Sequence, residues 1–101
     1  MKKSDKKIEN AIRISLTEVC ESLKDEVYGF EWLSHKVDFS NVNQSLQVTF
    51  MFATNQSLRK AKLQAQTQSM VKLACSALAK HNIHITNAAK QCCFDTEERN
   101  R

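Results

Sequence analysis

Residue patterning predicts an α+β fold with the element order α-β-β-α-β-β, or α-β-β-α-α-β if the second long helix breaks. Three observations carry that expectation. Apolar residues recur at helical spacing over residues 5–27 and again over 57–81. Between these stretches the apolar period changes to two. The chain also holds no proline and a single glycine, Gly29, which argues against a loop-rich architecture. The simplest packing is an antiparallel-rich sheet with both helices on one face.

The first helix is carried by Ile8, Ala11, Ile12, Leu16, Val19, Cys20, Leu23 and Val27. Ser4 or Asp5 suits its N-cap, and Gly29 suits its stop because glycine tolerates left-handed backbone angles. Leu33, His35, Val37 and Phe39 then alternate with Trp32, Ser34, Lys36 and Asp38. After the turn-prone run Ser40–Ser45, Leu46, Val48, Phe50 and Phe52 take one face of a second strand; Gln47, Thr49, Met51 and Ala53 take the other. Pairing Phe39 with Leu46, Val37 with Val48, His35 with Phe50 and Leu33 with Phe52 collects the bulky side chains on one face. The second helical stretch buries Leu63, Met70, Val71, Ala74, Cys75 and Leu78; glutamines interrupt the stripe near its start, so that a break near residue 65 into two shorter helices is the alternative. Ile83–Ile85 and Gln91–Phe94 read as two short strands. One domain spans 1–101, with 1–4 and 96–101 expected to fray.

A chain of 101 residues buries roughly 60–70% of its unfolded surface without a metal or disulfide staple. One glycine cannot build a P-loop, a dinucleotide fingerprint or a GxxG clamp. Cys20, Cys75, Cys92 and Cys93 include no C-x-x-C pair. No signal peptide is read at the start and no run reaches the length of a membrane span, so the expectation is a cytoplasmic protein with reduced thiols and no membrane partner. His81, His84, Cys92 and Cys93 are the one metal-like set. Adjacent cysteines on a strand point to opposite faces, so no metal and no cofactor is expected. Cys20 and Cys75 read as fillers on apolar helix faces, and His35 as a hydrogen-bonded structural histidine. The acids cluster on the first helix and the tail, away from the basic half, and no enzyme reading survives.

Charge placement is the most informative feature. No acid lies between Asp38 and Asp95, a stretch that holds Arg59, Lys60, Lys62, Lys72, Lys80 and Lys90; the net charge of +4 arises there. Lys62, Ser69, Lys72, Ser76 and Lys80 share the helix face opposite the apolar stripe. A single-sign face attracts polyanions, although a solvated lysine face that keeps a small protein soluble has the same composition. The run Asn55–Lys60 opens the second helix, where free N–H groups beside Arg59 and Lys60 would suit a phosphate. Trp32 lies on the sheet face away from the core with Met51. There it can stack a base, anchor a protein interface, or be covered by the tail.

The order α-β-β-α-α-β resembles the bacterial-type KH domain and the related ribosome-binding factor A fold. The KH clamp uses a glycine-rich loop between its central helices; the corresponding run here, Leu63-Gln64-Ala65-Gln66-Thr67, has no glycine, and no KH residue is carried over. Lys3–Ala11 and Phe94–Glu98 are also similar to a family of small bacterial proteins. That resemblance implies a single domain and no particular activity. Two functions follow as expectations: a small nucleic-acid-binding accessory protein, RNA-directed, using Arg59, Lys60, Lys62, Lys72 and Lys80; or a protein-interaction module, a homodimer through the open sheet face bearing Trp32 and Met51 or through a sheet edge.

Overall fold

The computed structural model describes residues 3–99; the expectation of fraying at Met1, Lys2, Asn100 and Arg101 lies outside the described residues. Helix α1 (Lys3–Glu26) starts before Ser4 and Asp5, which therefore sit in its first turn rather than at its cap. It buries Ile12, Leu16, Val19 and Leu23. Gly29 ends the turn after it at φ +84°. Strand β1 (Phe30–Lys36) is followed by a single helical turn, α2 (Val42–Ser45), and by strand β2 (Gln47–Phe52). Helices α3 (Asn55–Leu63) and α4 (Gln66–Ala79) come next, then the short α5 (Ala88–Gln91) and strand β3 (Cys92–Thr96). Apart from the short α2 and α5, the order is α-β-β-α-α-β.

The sheet is mixed, in the order β1-β2-β3, with β1–β2 antiparallel and β2–β3 parallel. A parallel pair needs a crossover, and α3–α4 supplies it. Val48, Phe50 and Phe52 on β2 are fully buried under the helices, whereas Gln47, Thr49 and Met51 on the other face are not. Phe50 stacks on Phe94 at 4.8 Å between ring centroids, and Phe30 meets Phe52 edge-on at 6.0 Å. The buried Ser15 donates to the carbonyls of Ala11 and, across the helix pair, Ala77; with Ala74 and Ala77 buried, small side chains let α1 and α4 approach closely.

Four details of the sequence reading are corrected. The hairpin register is shifted by two: Leu33 pairs with Phe50 and His35 with Val48. A shift of two preserves the faces, so the hydrophobic pattern could not choose between the registers. Polar bonds in the connection choose instead. The Ser45 hydroxyl accepts from the Asp38 N–H and donates to the Asp38 carbonyl, which draws Val37–Phe39 out of the strand. A bulge between Phe30 and Trp32 then turns Phe30 into the core.

Ile83–Ile85 forms no strand. Helix α4 ends in a Schellman pattern: Ile83 N–H reaches the Leu78 carbonyl, Asn82 N–H reaches Ala79, and Asn82 is left-handed at φ 61°. Ile83 is the buried plug such an end requires. Leu63 does not join the apolar face; it is 82% exposed, because α3 stops there and Ala65, at φ 59°, redirects the chain into α4. Finally, Thr96–Arg99 are held rather than frayed. Glu97 N–H donates to the Phe52 carbonyl, and Arg99 N–H donates to the Thr96 hydroxyl.

Candidate nucleic-acid interface

The sequence-predicted cations divide between two helices. Arg59, Lys60 and Lys62 are exposed on α3, Lys72 is exposed on α4, and Lys80 is exposed just past its end. The break at Gln64–Ala65 takes Lys62 off the α4 face on which Ser69, Lys72, Ser76 and Lys80 lie exposed. Ala65 adopts a conformation that costs a non-glycine residue roughly 1 kcal/mol, and its N–H bonds back to the Lys62 carbonyl.

Beside α4 runs a groove of about 470 Å³ between that helix, α5 and β3. Its wall is apolar: Val71, Ala88, Ala89, Cys92 and Phe94; Thr67, Gln68 and Lys72 form its polar part, and no acid lines it. Phe94 is fixed there by its stack on Phe50. Among the described residues β3 is the last strand of the sheet. The loop before β3 is set by Gln91, which is buried. Its amide donates to the carbonyls of Asn43 and Leu46 and accepts from Thr86 and from the Asn87 N–H. Sequence reading passed over Gln91, because a lone glutamine before a strand carries no local signal of burial.

Burial, followed by the neighbouring Cys75 and Cys93, pushes the Cys92 thiol up to about 12, so it remains a neutral apolar part of the groove wall. Cys20 and Cys75 are half-buried; Cys20 packs against the edge of the core. His81 and His84 are exposed, and among the described residues no group of three or more His, Cys, Asp or Glu is arranged to hold an ion. His35 Nε2 lies 3.0 Å from Glu9 Oε1, tying β1 to α1.

At the N-terminus of α3 two N–H groups, those of Asn55 and Ser57, are already taken within the protein. Thr54 and Ser57 form a capping box, and the Asn55 N–H donates to the Glu98 carboxylate. The protein's own acid sits where the anion was expected, as the helix dipole favours. Trp32 is paired with Met51 in the register and is 42% exposed; its indole N–H donates to Glu97 Oε1 at 3.0 Å. The segment after β3 thus supplies both the carboxylate on α3 and the one on Trp32.

A second groove, between α1 and β1, carries Arg13, Glu21 and Lys24 along with Trp32 and His35, so its charges are mixed. Tyr28, which sequence reading did not single out, is 78% exposed, and Lys60 Nζ lies 5.6 Å from its ring centroid. Compared with known protein families, curated proteins and solved structures, the chain matches none.

Proposed function

We propose that this chain is a binding module rather than a catalyst, and that it binds single-stranded nucleic acid, RNA in the first place. The observation that carries this reading is the acid-free groove beside α4. It joins an apolar wall able to receive a base to the exposed cation Lys72, on a helix pair whose other exposed cations are Arg59, Lys60, Lys62 and Lys80. Apolar wall and cations match the two halves of a nucleotide, flat base and charged phosphate. Duplex fits less well, because a duplex keeps its base faces stacked on one another and out of reach of the apolar wall. Fluorescence anisotropy of labelled single-stranded RNA tests the reading. The double variant Lys72→Glu/Lys80→Glu is expected to bind all sequences more weakly and to similar extents. Unchanged affinity would remove the basis of the proposal.

The uncovered sheet face supports a second reading, self-association. Trp32 and Met51 lie side by side on it, on the face opposite the buried Phe50 and Phe52. That reading expects a dimer at high micromolar concentration in sedimentation equilibrium, dissociated by Trp32→Glu; a monomer at that concentration would oppose it.

A further inference from the structure

We propose that Tyr28, with Lys60 beside its ring, is a stacking platform for one unpaired base; this rests on the single-strand binding proposed above and names a second point of contact for the strand. The turn that carries Tyr28 is fixed from both sides. Val27 and Phe30, before and after it, are buried. Phe30 N–H bonds back to the Val27 carbonyl, and Ala53 N–H takes the Gly29 carbonyl. Gly29 is left-handed, and a Cβ there would collide with the Ser57 side chain at the start of α3. The chain's one glycine therefore allows the turn to press against α3, and the phenol between these anchors is displayed outward. An aromatic 78% exposed on a rigid turn gains nothing from the core, and with that exposure its ring is not covered on both faces. A base stacking on it loses little conformational freedom in the protein.

The surroundings suit a nucleotide. Lys60 already lies against the ring, where its ammonium can meet the phosphate next to a stacked base, and Arg59 and Lys62 are exposed on the same helix. Asp25 and Glu26, at the end of α1, are exposed acids that precede the turn in the chain. Stacking on an exposed aromatic tolerates any base but requires an unpaired one, so this contact selects single strands over duplex.

The test compares wild-type protein with Tyr28→Ala and Tyr28→Phe, each checked for an unchanged circular dichroism spectrum, on labelled single-stranded oligoadenylate and on a duplex of the same length. Tyr28→Ala is expected to weaken oligoadenylate binding roughly 5- to 150-fold, the range for loss of one base–aromatic stack. The salt slope should stay unchanged, because no phosphate contact is removed. Tyr28→Phe, which keeps the ring, should retain most of the affinity, and duplex binding should not respond to either variant. Equal affinity of wild type and Tyr28→Ala for oligoadenylate would overturn the platform while leaving the groove reading intact. An equal loss on duplex would overturn it too, by assigning Tyr28 a role other than stacking. Absence of wild-type binding to any nucleic acid would overturn both.

Discussion

Tyr28 and Trp32 stand on either side of Gly29 in the chain and meet opposite charges. Trp32 lies on the sheet face next to Met51, with its indole N–H on the Glu97 carboxylate. Tyr28 stands clear of the core beside Lys60. Exposure of an aromatic is therefore not enough to mark a contact for a polyanion; the sign of the charge beside it decides. The group in contact with each ring is the Glu97 carboxylate at Trp32 and the Lys60 ammonium at Tyr28, although Asp25 and Glu26 are exposed just before Tyr28 in the chain. The two grooves repeat the contrast, mixed in charge between α1 and β1 and free of acids beside α4.

The comparison breaks most severely at Gly29. Gly29→Ala combines a positive φ with a collision against Ser57 and is expected to destabilise the fold by about 2–4 kcal/mol, seen as a lower midpoint in urea unfolding. Lys72→Glu/Lys80→Glu should leave stability nearly unchanged but weaken single-strand binding on the order of 100-fold at low salt, with a shallower salt slope. Gln91→Ala leaves the Asn87 N–H and two carbonyls without their partner. A loss of about 1–3 kcal/mol is expected, together with weaker binding because α5, which bears Ala88 and Ala89, loosens. Trp32→Phe removes only the exposed bond to Glu97. It should change stability by less than about 1 kcal/mol and nucleic-acid affinity not at all, in contrast to Tyr28→Ala.

The smallest expected effect concerns Cys92. With its thiol pushed up to about 12, Cys92 should resist iodoacetamide at pH 9 in the folded protein. Its share of stability is present below the ordinary thiol value of 9.0 and lost as pH rises from there towards about 12, where the unfolded chain ionises first.

Periodicity made the helices, the first two strands and their faces legible. Of the two alternatives for the second helical stretch, one long helix or a break near residue 65, the chain takes the break: α3 hands over to α4 there, where Gln64, Gln66, Thr67 and Gln68 cannot sustain an apolar stripe. Register and ends were less legible, since they depend on polar bonds between residues distant from the hydrophobic pattern: Ser45 with Asp38, Ile83 closing α4, Glu98 on Asn55. The cations of the candidate site could be read directly from the absence of acids between Asp38 and Asp95. The groove could not, because Phe94 and Val71 meet only through the parallel β2–β3 pairing. Tyr28 left one faint signal, an aromatic directly before the chain's single glycine. Ala65 offers a further check on this handover: Ala65→Gly relieves a left-handed alanine and should raise stability by up to about 1 kcal/mol.

The most direct test of the central claim is the salt dependence of binding to labelled single-stranded RNA, followed by anisotropy over several salt concentrations. Engagement of roughly three to four phosphates predicts that log affinity falls with log salt at a slope of about −2 to −3. No binding at low salt, or binding indifferent to salt, would contradict the account and reduce the cations of α3 and α4 to a solvated surface.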